Sequence, residues 1–393
     1  MLMPVYVPTA LLAFGQGMLV PTLPFYAKDL GASGSLIGLI VAAAGLGTLA
    51  TDLPAGIVIG RLGRRPAMLM GAGLVAISTI IAGLWANVPG LILLRLLAGA
   101  GTALWALSRH AYITDVTQPA QRGRSIAVFG GINRAGSLLA PALGGALGKL
   151  FGLGAPFIVA GILAAGTAGI AFIFVPETGG SSQFKAGHKM RWGLVRGMLR
   201  TNWRDISAAG SAQVFAQIIR SGRQLVIPLY GSAIGLDVLT VGGIVSAAAA
   251  LDVSMFLPAG FLMDRFGRKV AAVPSFLVMA LGMLLVARAA DYQGLLLAAS
   301  VIGFGNGLGS GTMMTLGADL APPGAVGEFL GIWRLIGDTG QSAGPLIVGP
   351  TTEALGAAAS AILLSGVGLL AALTLAILVR ETNTTRRPAV RQT

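Results

Sequence analysis

The chain has no cysteine, which excludes disulfides, thiolate metal sites and cysteine nucleophiles. It has two histidines, His110 and His188. Two are too few for a metal cluster, and both fall at or near the ends of apolar stretches, where a solvated surface histidine is the expected reading. Charge is scarce: charged residues make up 10%, against roughly 25% in a soluble domain. Acids are the scarcer sign, with 14 Asp and Glu against 27 Lys and Arg. No Gly-x-x-x-x-Gly-Lys-Ser/Thr run occurs, so a P-loop nucleotide site is excluded. No basic residue precedes Lys28. A secretory leader opens on a charged region, so the first apolar segment is expected to stay in the chain.

What remains is apolar and glycine-rich. Hydrophobic residues make up 55% of the 393 positions, with 59 glycines, and the mean hydropathy is +0.82. A helix needs about 20 apolar residues to cross the hydrocarbon core. Twelve stretches meet that need: 4–27, 35–59, 66–86, 89–113, 123–149 and 154–175, then 204–232, 238–263, 270–288, 292–318, 325–352 and 355–379. The expected fold is an all-α membrane protein with twelve transmembrane helices. Basic residues give its orientation. With the N-terminus in the cytoplasm, Arg61, Arg64, Arg65, Arg265, Arg268, Lys269 and the basic residues of 179–203 and of the tail all fall inside. Only Lys28, Lys149 and Arg288 fall in loops outside. This is the positive-inside asymmetry. It accounts for the net charge of +13 without nucleic acid, which would need a soluble basic face.

The chain repeats itself. Residues 56–65 and 260–269 carry one ten-residue pattern, 204 positions apart. Pro24 and Tyr26 map to Pro228 and Tyr230 at the same offset, Asp115 to Asp319, Gly136 to Gly340, Pro141 to Pro345 and Glu177 to Glu381. The expected organisation is therefore two pseudo-symmetric six-helix halves, 1–178 and 204–382, with a cytoplasmic linker at 179–203 and a cytoplasmic tail at 383–393. Duplicated halves with a site at their interface are the usual build of a secondary transporter. Small-xxx-small glycine spacings read mainly as close helix packing.

Ionisable groups inside apolar helices are costly, and they read as functional by default. The acids are Asp52, Asp252 and Asp338. The bases are Arg95, Arg134, Arg220, Arg223 and Arg334, with Arg109 near a helix end and expected to snorkel. Arg220 and Arg223, three residues apart, share a helix face. Gln16, Asn133, Gln213, Gln217, Asn306 and Gln341 are amides that either line a cavity or bond helix to helix. Phe14, Trp105, Phe129, Phe215 and Trp333 are expected as packing or cavity wall.

The pattern Gly-x-x-x-Asp-Arg-x-Gly-Arg-Arg/Lys resembles the cytoplasmic loop signature of the major facilitator superfamily. Its residues here are Gly56, Arg61, Gly63, Arg64 and Arg65, then Gly260, Asp264, Arg265, Gly267, Arg268 and Lys269. Arg95 to Gly101 resembles the family's fourth-helix arginine motif, and Asp115 its acidic end of that helix. Gly136, Pro141, Gly144 and Gly145 resemble the fifth-helix motif typical of antiporters, repeated in part as Gly340, Gly344 and Pro345. The resemblance implies a transporter, not an enzyme, working by alternating access in a bacterial inner membrane. It implies a small-molecule substrate, a lipid bilayer as surroundings, a monomer, and no cofactor beyond a proton gradient.

In that family the loop acid latches the cytoplasmic side by facing a helix N-terminus of the other half. Gly60 replaces it in the first copy, so the latch there is expected to be weakened or rebuilt from Asp115 with Arg61 or Arg65. Asp319 is the second-copy counterpart of Asp115. Proton-coupled export of a small organic or amphipathic solute is the first functional reading, with Asp338 the foremost proton site and Asp252 next. An organic anion or acidic lipid carried in a net positive cavity is an alternative. A non-transporting sensor or scaffold on the same fold is another. The family fold packs the second helix beside the eleventh and the fifth beside the eighth. At about 1.5 Å per residue, Asp52 and Arg334 then lie at matching depth, as do Arg134 and Asp252. Two ion pairs between the halves are expected, made or strengthened when the cytoplasmic side is closed.

Overall fold

The computed structural model describes residues 2–85, 87–116, 131, 132, 134, 136, 138–176, 197, 203–322 and 326–382. Most of the linker and the whole tail expected at 383–393 lie outside the described residues, as do Asn133 and Phe129. So does most of the expected fifth helix before Ala140.

The first half contains α1 (Val7–Asp29), α2 (Gly34–Leu62), α3 (Arg64–Leu84), α4 (Val88–Val116), α5 (Ala140–Phe151) and α6 (Ala155–Phe174). The second contains α7 (Trp203–Ala233), α8 (Val238–Ser254), α9 (Phe256–Phe266), α10 (Arg268–Val286), α11 (Tyr292–Leu308), α12 (Thr312–Leu320), α13 (Val326–Leu355) and α14 (Ala357–Leu373). Among the described residues there is no strand, and nine helical segments are long and apolar enough to cross a membrane. The long helices α7 and α13 fall outside those nine. They carry Arg204, Asp205, Arg220 and Arg223, and Glu328, Arg334, Asp338 and Glu353. Large apolar side chains such as Ile77, Phe172, Leu257 and Leu355 point outward around the bundle, a surface suited to lipid tails that are as apolar as leucine.

Two passages expected to be continuous are broken. One breaks at Met255, between α8 and α9. Pro258 follows in the first turn of α9, and its missing N–H cannot serve a carbonyl one turn back. The other breaks at Gly309–Gly311, between α11 and α12. There Gly311 adopts φ +77°, a conformation costly to residues with a Cβ.

The duplication seen in sequence recurs in the backbone. Gly31 and Gly235, Gly63 and Gly267, and Gly152 and Gly356 all have positive φ, and the members of each pair are 204 residues apart. These are the loops where each half turns from one helix to the next. Tyr26 donates to the Ala82 carbonyl at 3.0 Å, and Tyr230 to the Ala289 carbonyl at 2.9 Å. Gly99 packs on the Ala44 backbone, and Gly303 packs on Ala248 in the same way.

The halves meet along α2 with α13 and α5 with α8, and also along α1 with α7. One end of the bundle carries the arginine-rich turns after α2 and α9. The opposite end is sealed between the halves. A Cβ on Gly38 would lie 2.5 Å from the Pro345 carbonyl oxygen, and one on Gly145 would lie 2.5 Å from that of Val238. At that end Lys149 Nζ meets Asp237 at 2.6 Å. The Ser35 N–H donates to Glu353 at 2.7 Å, and Lys28 Nζ reaches Ser232 Oγ at 2.8 Å. By contrast, a Cβ on Gly56 or Gly260, near the arginine-rich turns, would meet nothing within 4 Å.

Candidate functional site

Between the halves, at mid-height, lies a cavity of about 430 Å³, within the range of about 300–1,000 Å³ usual for small-molecule sites. From the first half come Gln16 of α1, Thr48 of α2, and Arg95, Gly99 and Thr102 of α4; the second half adds Ser221 and Gln224 of α7 and Gln341, Ser342 and Pro345 of α13. Arg95, Gly99 and Thr102 recur at helical spacing, so one face of α4 looks into the space. Of the expected amides, Gln16 and Gln341 are here, whereas Gln213 is buried in the packing and Asn306 bonds elsewhere. None of Phe14, Trp105, Phe215 and Trp333 lines the cavity. Trp333 donates to the Met313 carbonyl at 2.9 Å and stacks on Phe329, a packing role.

One helical turn from the cavity, on two of its own walls, sits a set of three charges. Asp52 follows Thr48 on α2, and Asp338 precedes Gln341 and Ser342 on α13. Arg334 lies between the acids, 3.5 Å from Asp52 across the halves and 3.4 Å from Asp338 on its own helix. The i,i+4 spacing on α13 brings Arg334 and Asp338 together. Two carboxylates thus share one guanidinium.

A second set has the opposite balance. Asp252 of α8 accepts from Arg134 at 2.9 Å, from Arg223 of α7 at 3.4 Å and from Asn306 Nδ2 of α11 at 2.5 Å. Arg134 also lies over the Phe256 ring. Here two guanidiniums share one carboxylate. Both inter-half pairings expected from helix depth are therefore present, each with a third ionic member that depth did not reveal. They coexist with a sealed opposite end.

Arg220 does not join its face-mate Arg223 on Asp252. It donates to the Gly309 carbonyl at 3.0 Å and lies over the Phe276 ring. That carbonyl lies at the break between α11 and α12 and also accepts from the Thr312 hydroxyl at 2.8 Å, so Arg220 shares in serving the broken backbone. Arg109 does not snorkel outward: it is 6% exposed. His110 is exposed, as expected.

Comparison with known proteins places this architecture. The sequence description of the Major Facilitator Superfamily matches residues 6–251 and 209–393, nearly the whole chain. The chain belongs to the Major Facilitator Superfamily. An uncharacterized MFS-type transporter of Methanocaldococcus jannaschii is 22% identical over 355 residues, covering 90% of this chain and 92% of that protein. The quinolone resistance protein NorA of Staphylococcus aureus is 29% identical over 153 residues, 39% of each chain. Among solved structures, the nucleoside transporter NupG superposes with a TM-score of 0.79 at 16% identity, covering 95% of this chain and 98% of its own. The chain is thus a multi-pass integral membrane transporter, not an enzyme.

Within that superfamily fold, the loop pattern is pinned inside its own half. Arg268 Nε meets Asp319 at 3.0 Å, and the backbone N–H groups of Arg268 and Lys269 donate to Glu381 at 2.9 and 3.0 Å. Thr382 Oγ1 also bonds Asp319. Lys269 Nζ takes the Ala376 carbonyl, and Arg265 lies beside Phe261 and Phe266. The Asp264 side chain is 77% exposed, with Arg268 of the same half 4.0 Å away. In the first copy Arg65 donates to the Phe172 carbonyl at 2.6 Å and lies over that ring, while Arg61 is exposed. The Asp115 side chain lies outside the described residues.

The glycine and proline motif of the fifth and eleventh helices does packing work on both sides of the interface. Gly144 abuts the Met18 backbone of α1, Gly145 abuts α8, and the Pro141 carbonyl meets Gly242. Gly136 packs on Ala10, Gly340 on Val214, Gly344 on Ser221 and Gly222, and Pro345 on Gly38.

Sequence reasoning missed Gln224, Thr48, Thr102, Ser221 and Ser342 as cavity residues. Ser and Thr are common in apolar helices as packing and backbone-bonding groups, so no local signal separated these from the rest. It also missed Lys149 with Asp237 and Glu353 with Ser35 as closures of the opposite end.

Proposed function

We propose that this chain is a proton-coupled secondary transporter that exports a small organic solute by alternating access. It acts as a monomer without bound cofactor, in the inner membrane, with the arginine-rich turns in the cytoplasm. The observation that carries this reading is the set Asp52, Arg334 and Asp338. With both acids ionised it holds a net negative charge inside the membrane, which is costly. One proton neutralises the set and leaves Arg334 a single carboxylate partner. The unequal count gives it a place for one proton. Asp52 belongs to the first half, while Arg334 and Asp338 belong to the second. Separating the halves at this end takes Asp52 from its cation, and a lone acid in that setting favours proton uptake. Loading of the proton is thereby tied to the opening of the bundle. The set lies one turn, about 5.4 Å, from a cavity lined by the same two helices, so solute and proton act on the same interface.

The set around Asp252 has one cation in excess and three donors on its acid. It serves as a hinge clamp between Arg134, which precedes α5, and helices α7, α8 and α11, and the proton role goes to Asp338 with Asp52. Export is supported by the fifth-helix motif and by the similarity over part of the chain to a protein named for quinolone resistance.

The test uses proteoliposomes. Solutes that show counterflow on the wild-type protein should accumulate against their own gradient when a pH gradient is imposed. Asp338→Asn should keep counterflow and lose that accumulation. If Asp338→Asn still concentrates solute, or the wild type ignores the pH gradient, the coupling reading is wrong.

A further inference from the structure

The cavity has unspent bonding capacity of one kind. Among the described residues lining it, Arg95 is the one that carries a charge. No salt bridge joins it to an acid among the described residues, and its buried Nε has no hydrogen-bond partner. An arginine in a membrane helix ordinarily finds a carboxylate or a set of carbonyls. Arg134, Arg223 and Arg334 each have such a carboxylate, and Arg220 has a carbonyl. Around Arg95 stand Gln16, Gln224 and Gln341, whose side chains make no hydrogen bond with the described residues, and Ser342, whose buried Oγ is also unpartnered. Buried polar groups are almost always satisfied, so the Arg95 Nε and Ser342 Oγ are satisfied by what enters the cavity, and the exposed amides of Gln16, Gln224 and Gln341 face the same space.

The charge count then selects the occupant. Among the described lining residues, one guanidinium and no acid make a net charge of +1. A monoanion neutralises it, a dianion leaves an excess negative charge, and a cation doubles the positive one. Guanidinium presents parallel N–H groups that match a carboxylate in bidentate fashion. The three amides and the serine both donate and accept, which suits hydroxyl and carbonyl groups. With no aromatic side chain among the described residues of the wall, those residues offer no stacking or cation–π capture to a lipophilic cation.

We infer that the transported solute is a small hydrophilic monocarboxylate, held by Arg95 through its carboxylate and by Gln16, Gln224, Gln341 and Ser342 through its hydroxyl or carbonyl groups. This deepens the transport reading and rests on it. The substrate class separates this chain from one that exports lipophilic cations.

The experiment reads binding, so it does not depend on proton coupling. Purified protein is heated with lactate, glycerate, gluconate and glucuronate, each beside its neutral amide or alditol counterpart and a cationic amine of similar size. At least one monocarboxylate should raise Tm, and its counterparts should not. Arg95→Gln should weaken that monocarboxylate about tenfold or more, and Arg95→Lys should retain part of the binding. Without any solute, Arg95→Gln should melt no lower than the wild type, because it removes a cation that has no protein partner. Three results would overturn the inference: no carboxylate stabilises, the neutral or cationic counterparts stabilise as well, or carboxylate stabilisation survives Arg95→Gln. A lower Tm for solute-free Arg95→Gln would also overturn it, as the sign of a structural arginine. Failure of proton-driven accumulation, with carboxylate binding intact, would sink the coupling reading alone.

Discussion

Asp252 sits between two cations, Arg134 at 2.9 Å and Arg223 at 3.4 Å. A two-residue exchange, Asp252→Arg with Arg134→Asp, conserves total charge, and for an isolated pair it would restore the attraction. Here it should fail. The contact to position 134 stays attractive, but the contact to Arg223 reverses sign. At 3.4 Å and an effective dielectric of about 20, that contact passes from about 5 kcal/mol attractive to about 5 kcal/mol repulsive. Asn306, which donates to Asp252, would also face a donor. Side-chain rotation and water recover most of such a gross difference; if nine tenths are recovered, about 1 kcal/mol remains. Adding Arg223→Gln to the exchange removes the repulsion and offers an acceptor. The expected order of Tm in detergent is wild type, then the triple variant, then the double. Arg223→Gln alone should cost little, because Arg134 and Asn306 still serve the acid. A double variant as stable as the triple would refute the three-charge reading and leave Arg223 a bystander.

Two further outcomes concern the sealed end. Gly38→Ala would press a methyl group against the Pro345 carbonyl and Gly349 of the other half, so it should bias the protein toward opening there. Because the chain has no native cysteine, a single Gln16→Cys in the cavity reports this cleanly: labelling by an impermeant thiol reagent from outside should speed up, while Gly56→Ala, which meets nothing, should leave it unchanged. At the same end, the hydrogen bonds from Lys149 and Thr240 hold the Asp237 carboxyl down to about 2. A depressed carboxyl contributes stability above its unfolded value and loses it as pH falls through the folded one. The Lys149–Asp237 contact should therefore stay closed from pH 8 to pH 5, and outside labelling of the same cysteine should not accelerate over that range, whereas Asp237→Asn should accelerate it at every pH. Acceleration in the wild type near pH 5 would show that another group gates this end.

Sequence by itself determined the membrane class, the duplication and the places where charge enters the bilayer. Runs of about 20 apolar residues are a local signal, and so are the turn glycines, since positive φ is a property of a single residue. The ten-residue pattern at 56–65 and 260–269 announced the repeat, and the positive φ of Gly63 and Gly267 within it follows from that local chemistry. Depth along a helix is also local, and with the helix neighbours implied by the family resemblance it matched Asp52 with Arg334 and Arg134 with Asp252. Rotation about the helix axis is not local. Helices that are apolar nearly all round carry little amphipathic pattern to say which face turns inward. Only the tertiary structure decided that Arg223 and Asn306 close on Asp252 and that Arg220 turns away to a broken backbone. It likewise decided that Arg95 faces a cavity with no acid among its described lining residues, because that depends on every helix packed around the side chain.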